Sequence, residues 1–577
     1  MNVEEARSPE TRGPILRFRN VGISIMPYSP LLAAGLATAV GLVLSSVFST
    51  QAPAQTAGSA TEPGLACNGT RIFDPFKGPL AGPDLPPGLL PIGDKDKSDI
   101  LKSGLPCQEN VRTTAQADPT GKEANGLANL QRGFDFYSWR TFIALNSPAD
   151  STPIDQAQPQ TPTKWEDMGN FKQLLDVMLP ADLQPPKWPT DRQGMIAERD
   201  RLAPKECKTL REDPKYHDRM NVKMIEESFN EPFKTGPLID QQGHYAIFDI
   251  LMNREMFKYI TVNHLNTKAG QAENADSAVD FPAGQADQPA QAGKPAQPGT
   301  LGAFMLKVSW KILSEAEKEA KTFHMVDALV LMPPNADRPD AARPCLPETL
   351  GLVGFHAVHK TTGRPQWIWT TFEHVKNVPD KEEVAANDLH GPYNFFDAGC
   401  KTDCPAVNAT PPRPWDPSPA LELRFRADNS YKSQIVRETP LTDAAKHMNT
   451  IFHSLLPPDS VWQNYMLIST QWPSAFAIRC TGLHSQSAPD PKTDFVKQPD
   501  MTCSPAPTYL ANSTLETYSQ ADSKADAPDT PEVPLATSSC IACHSNAVGF
   551  QRPASNREAG RPNLNQSDFT FMLEKAQ

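Results

Sequence analysis

Phe304-Met305-Leu306-Lys307-Val308-Ser309-Trp310-Lys311-Ile312 is the stretch on which the fold turns. Phe304, Leu306, Val308, Trp310 and Ile312 alternate with Met305, Lys307, Ser309 and Lys311, the period of a strand with one face buried. Just beyond it, Ser314 and Glu317 have capping-box spacing and predict a short helix. Two further strands follow, Met325–Met332 and Gly351–Lys360, and the turn Thr362-Gly363-Arg364-Pro365 leads into a third, Gln366–Val375. Leu421, Leu423 and Phe425 alternate with Glu422, Arg424 and Arg426 in another. Antiparallel connectivity is the economical reading. The expected class is α+β: a large body with an antiparallel sheet, flanking helices and long Pro-rich loops, ending in a short helical C-terminal segment.

Working outward, Phe134–Leu145 has helical apolar spacing that ends before Pro148, with Trp139 and Phe142 reading as core. Tyr245–Leu265 is ambiguous between a helix and a strand pair. His447–Leu456 and Ser460–Ser469 read as helices packed on the sheet. Thr267–Thr300 is Ala, Gln, Gly, Pro and Asp with almost no large apolar side chains, a composition that predicts a disordered insertion. The expected organisation is a signal peptide (1–54), an irregular Pro/Gly-rich arm (55–132), the α+β body (133–483, with the insertion 267–300), a Pro-rich linker (484–534) with a short helix near Tyr509–Tyr518, and a terminal segment (535–577).

That terminal segment holds Cys540-Ile541-Ala542-Cys543-His544, a Cys-x-x-Cys-His motif. Two thiols three residues apart can each add to a vinyl group of one haem, leaving the next imidazole as an axial iron ligand. A redox dithiol would expect a strand before the motif and a βαβ unit around it, where this chain has Pro-rich linker and chain end. A structural zinc would ask for two more ligands at close spacing, and neither a second Cys-x-x-Cys nor a His-x3-His lies nearby. The expected site residues are therefore Cys540, Cys543 and His544 for one covalent haem c, with His544 on the iron. Met572 is the one methionine downstream and a candidate second ligand, against the plainer reading that it packs in the apolar seam of a final helix, Asp568–Lys575.

Elsewhere, His356 and His359 lie three apart on one strand and point to opposite faces, so they cannot share a metal. His374 falls opposite Val353, about 20 Å from His359 along the ladder. Trp367 and Trp369 share the strand face of His356 and Val358 and read as core. No phosphate loop, nucleophile elbow or metalloprotease helix appears, and no catalytic residue is marked out.

Haem attachment needs an oxidising compartment. Arg17 and Arg19 precede the apolar run Leu31–Leu44, and Ala52-Pro53-Ala54 offers a cleavage site, so export by a signal peptide to the periplasm or medium is expected, with membrane contact if the leader stays uncleaved. The chain has 10 Cys; subtracting the motif leaves an even number for disulfides, of which Cys67–Cys107, Cys400–Cys404 and Cys480–Cys503 are the cheapest pairings by sequence. The net charge of -12 carries no basic patch that would suggest nucleic acid, and suits either solubility or a basic partner protein.

Ser538–Phe550 resembles a c-type cytochrome haem-binding site, and the resemblance implies thioether attachment at Cys540 and Cys543 and proximal ligation by His544. The wider pattern, GLVGFHAVHKTTGRPQWIWTTFEHVKNVP in the body and SDFTFMLEKA at the end, resembles large exported bacterial proteins of the cytochrome c family, with a body larger and a tail shorter than small cytochromes have. The expected function is an exported monohaem cytochrome passing single electrons to a redox partner protein. The rivals are a haem enzyme, peroxidase- or oxygenase-like, with an open sixth iron position, and a binding body with a vestigial haem.

Overall fold

The alternation of Phe304–Ile312 becomes the third strand, in spatial order, of a nine-stranded sheet in a computed structural model. The model describes residues 65, 67, 94–102, 104–109, 123–150, 152–180, 182–212, 223–226, 235–274, 279–331, 344–412, 431–473, 505–507, 509–520, 539–544, 547 and 567–577. The signal peptide 1–54, the strand around Leu421–Phe425 and Cys480 with Cys503 lie outside these residues.

The strands are β1 (Phe171–Gln173), β2 (Lys223–Glu226), β3 (Ile247–Asn253), β4 (Phe304–Ile312), β5 (Met325–Leu331), β6 (Cys345–Thr361), β7 (Arg364–His374), β8 (Tyr465–Pro473) and β9 (Pro505–Ala506). They run in the order β1-β3-β4-β6-β7-β8-β9, with β5 also on β6 and β2 on β5. Every pairing is antiparallel except β2 with β5. The class is α+β, as the alternation predicts.

One face of the sheet carries Phe304, Leu306, Val308 and Trp310 with Phe355, Ala357, Phe372 and Leu467. Two helices cover it, α1 (Glu123–Asn146) and α4 (Asp443–Leu455). Trp139 of α1 stacks on Phe452 of α4 at 4.9 Å and meets Phe372 edge-on, so the expected core role of Trp139 and Phe142 holds. Such aromatic pairs add about 0.5–1.5 kcal/mol each beyond their burial.

The other face is not open to water, and here β4 departs from the expectation of one buried side. Lys307 alone of its nine residues is more than marginally exposed. The polar residues of the alternation are paired instead: Ser309 Oγ lies 2.7 Å from Thr514 Oγ1, and Lys307 Nζ donates to Leu515 O at 3.1 Å. Lys311 pairs with Glu317 and lies 3.8 Å from Asp240. The covering layer is built from segments whose composition suggests no packing at all. Residues 509–520, assigned to the linker, are buried, with Asn512, Ser513 and Thr514 fully inaccessible.

Residues 267–300, expected as a disordered insertion, carry α3 (Lys268–Glu273) and a thin ribbon bridged at Gln285–Thr300, Gln288–Gln297 and Gln291–Lys294. Lys268, Gln271 and Phe281 are held by tertiary partners at the C-terminus, described below, that composition cannot reveal.

Three further expectations are revised. Ser460–Ser469 is one 3-10 turn, Val461–Asn464, followed by β8, because the Ser460 hydroxyl caps Trp462 N and the chain then joins the β7 ladder. Tyr245–Leu265, ambiguous between a helix and a strand pair, is neither alone but one strand followed by a helix: β3, then α2 (Arg254–Val262), the switch made by Asn253, whose side chain accepts from Met256 N. The final helix is a 3-10 turn, Phe571–Lys575. Ser314 caps Glu315–Ala320 with its box intact, as the spacing predicts. Disulfides join Cys67 to Cys107 and Cys400 to Cys404, the two neighbour pairings within the described residues, and Cys207 to Cys345.

Candidate functional site

Cys540–His544 forms one helical turn, α5. It is fastened to the second sheet face at β8: Gln471 Oε1 accepts from Ile541 N at 2.8 Å and from Ser539 Oγ at 3.2 Å. Gln471 pairs across the ladder with Trp369 on β7, and the Trp369 ring lies 4.3 Å from the His544 ring. Trp369 is itself fixed by donating Nε1 to Gln366 O at 2.9 Å. Ile541 enters the apolar seam formed by Met252, Met305, Val358, Trp367 and Trp369, along with Met572 and Leu573. The two tryptophans read as core are core, and one of them is also the seat of His544.

His544 is oriented from its far side. Its Nδ1 lies 2.8 Å from Phe569 O and donates there, which leaves Nε2 as the nitrogen available for another bond. Phe569 and Asp568 present that carbonyl from the left-handed region, φ 65° and 50°, a conformation uncommon for Phe. The Asp568 carboxylate accepts from Lys360 Nζ at 2.5 Å and from Phe281 N at 2.8 Å, and Lys360 also reaches Asp280 at 2.5 Å. Lys268 N donates to Gln577 O at 3.2 Å, and Gln271 Nε2 to Leu573 O at 2.8 Å. Lys268, Gln271, Asp280 and Phe281 thus clamp the chain end.

Cys540 and Cys543 are the free cysteines among the described residues, while the other six are in disulfides. The Cys540 sulfur lies 3.9 Å from Leu510 O and packs by Leu441, Ile468 and Met466. Burial pushes both thiols up, Cys543 to about 12 and Cys540 well above its usual value, with the Glu516 carboxylate adding to each. A thioredoxin-like dithiol works by a lowered thiol, and this environment does the reverse. Burial also draws His544 down to about 4, against the pull of Phe569 O, so its imidazole is neutral and can ligate.

The donor set fits a covalently held haem: two reduced thiols one turn apart, an adjacent neutral imidazole oriented through Nδ1, and apolar surroundings in Trp369, Phe571 and Ile541. Among the described residues no three His, Cys, Asp or Glu side chains converge as metal ligands. A haem would supply most of its iron's ligands from the porphyrin and would need no cluster of three side chains, so that finding does not bear on it.

Met572 lies in the apolar seam, as in the plainer of its two readings. His359 and His374 are placed elsewhere, His359 against Tyr137 at 2.5 Å and His374 against Thr322 O at 3.1 Å. Burial draws both down to about 3. Sequence reasoning missed Gln471, Lys360, Asp568 and Phe569, none of which has a local signature.

No family model, no curated protein and no solved structure matches this chain.

Proposed function

We propose that this chain is an exported c-type cytochrome that binds one haem through Cys540 and Cys543, ligates its iron with His544, and passes single electrons to a redox partner protein. The observation that carries the reading is the motif turn itself, seated on Trp369 with His544 Nδ1 already engaged by Phe569 O. In a c-type site the two cysteines hold the vinyl carbons as thioethers and the imidazole Nε2 binds iron; the haem supplies a one-electron couple. The protein's part is orientation and cover. Gln471 holds the start of the turn, Phe569 O fixes the imidazole plane, and the seam around Ile541 excludes water from one side. The leader sequence supports a periplasmic or secreted location, and the acidic chain suits a basic partner.

The test is expression in a bacterium with a c-type maturation system. The product should carry haem that survives acid-acetone extraction, with the mass of the chain raised by one porphyrin. Cys540→Ala together with Cys543→Ala should abolish covalent retention, and His544→Ala should change the visible spectrum. A colourless product of unmodified mass overturns the reading. Carbon monoxide separates carrier from enzyme: a six-coordinate spectrum indifferent to it supports a carrier, whereas rapid binding transfers the proposal to a haem enzyme.

A further inference from the structure

A cavity of about 180 Å³ opens beyond the end of β7, and Cys540, Cys543 and His544 take no part in its wall. Its apolar side is Val375, Val378, Leu441 and Met466, with the ring of Tyr393. Leu441 and Met466 also belong to the cluster that packs on Cys540, so the cavity borders the seat of the motif. An apolar cavity of about 150 Å³ admits one benzene molecule, and this one therefore has room for a single six-membered ring or a short chain.

The polar side of the wall is unbalanced in charge. Arg437, only 2% exposed, divides one positive charge between two acids, pairing through Nη1 with Asp380 and through Nη2 with Glu373 at 2.9 Å. Glu383 adds a third carboxylate. Its Oε2 accepts from Asp380 N at 2.8 Å in the capping box of the short helix Lys381–Ala386, and among the described residues no cation pairs with it. Lys376 also lines the cavity, but it is exposed and likewise makes no ion pair among the described residues. Negative charge is left in excess at a half-buried position, beside an aromatic ring.

We propose that this cavity is a binding site for a small organic cation, a primary ammonium carried on a single ring or a short apolar stem. The ammonium sits at Glu383 and Asp380, and the stem lies against Tyr393, Leu441 and Met466. Burial of the stem removes apolar surface from water, while the half-buried carboxylates attract the cation more strongly than a pair in open solvent does. The electron-rich face of Tyr393 favours a cation as well. An anion of the same shape meets the surplus carboxylate and is rejected. The site stands apart from the haem reading, so the failure of either leaves the other untouched.

The experiment is isothermal titration calorimetry of the full chain at pH 7 with benzylammonium, benzyl alcohol and benzoate, which share one ring and differ in charge. Benzylammonium should saturate one site at about 1 mM or below. Benzyl alcohol should bind about tenfold more weakly for want of the charge-assisted contact, and benzoate should not bind. Glu383→Gln keeps an acceptor for the capping box and should weaken benzylammonium to the level of benzyl alcohol. Val375→Trp, which fills the cavity with an indole, should abolish binding of both. Absence of saturable benzylammonium binding overturns the proposal, as does equal binding of benzyl alcohol or benzoate, or an affinity unchanged in Glu383→Gln. Should Val375→Trp fail to fold, the comparison of the three probes and the Glu383→Gln titration decide.

Discussion

Phe569 holds an unfavourable backbone conformation in order to aim one carbonyl at one imidazole, and the surrounding contacts show how that is sustained. Left-handed φ at non-glycine residues costs on the order of 1–3 kcal/mol each, and Asp568 and Phe569 adopt it in succession. Lys360 offsets this by bridging Asp568 and Asp280 from a position only 2% exposed. Removing one partner of a buried ion pair leaves an uncompensated charge, a loss of about 3–5 kcal/mol. Lys360→Met should therefore release residues 567–577, seen as faster amide exchange there and loss of the His544–Phe569 contact, while protection of β4 and β6 persists. Unchanged exchange at 567–577 would show that the seam of Met572 and Leu573 holds the tail without the latch.

At the scale of elements, the junction between α1 and β8 carries a titratable test of packing. Asp135 of α1 is fully buried, and its Oδ1 accepts from Gln131 Nε2 at 2.9 Å and from Thr470 N at 3.1 Å. Burial raises its carboxyl from 3.8 to about 7. A raised carboxyl means the folded chain binds the proton more tightly than the unfolded one, so the favourable contribution is complete below pH 3.8 and disappears as pH rises through 7. Asp135→Asn is neutral throughout. Relative to that variant, the wild type should gain on the order of 4 kcal/mol between pH 8 and pH 4, measured by denaturant unfolding at each pH; a constant difference would mean the carboxyl is ionised in the fold. The same elements show what the residues disclose by themselves. Phe304–Ile312, Met325–Leu331 and Gly351–Lys360 are legible because their side-chain period is local. The capping box at Ser314 is legible for the same reason. Lys307 and Ser309 look like a solvent face, since nothing near them announces that residues 509–520 return to pair with them. Ser460–Ser469 reads as helix, yet from Tyr465 onward the chain joins the β7 ladder as a strand. The Cys-x-x-Cys-His motif is legible as a local pattern, whereas Gln471, Lys360 and Phe569 act across 70, 208 and 25 positions of chain.

For the whole molecule, the question is how a chain with 58 Pro and so much irregular cover stays closed over the site. The sheet and the two helices on its first face need no help, because their aromatic core is continuous from Trp139 to Tyr465. The second face is covered by loops, and of the three disulfides among the described residues two tie long-range cover to the sheet. Cys207–Cys345 spans 138 residues and fixes the segment after Ala203 to the start of β6, and Cys67–Cys107 spans 40 and anchors the chain beside Gln108, whose side chain bonds Ala283 O and Thr362 N. Cys400–Cys404 spans only 4 and closes a local loop. If the stabilisation comes mainly from restricting the unfolded chain, it grows with loop length, at about 5 kcal/mol for the longest, about 4 for the middle one and about 2 for the shortest. Paired Cys→Ser variants should lower the melting temperature in that order. The Cys207/Cys345 variant should lose stability throughout, whereas the Cys67/Cys107 variant should also loosen the clamp at 279–284 and with it the tail that bears Phe569. An equal loss for all three, or a larger loss at Cys400/Cys404, would place the stabilisation in native contacts around each bridge instead of in the unfolded chain.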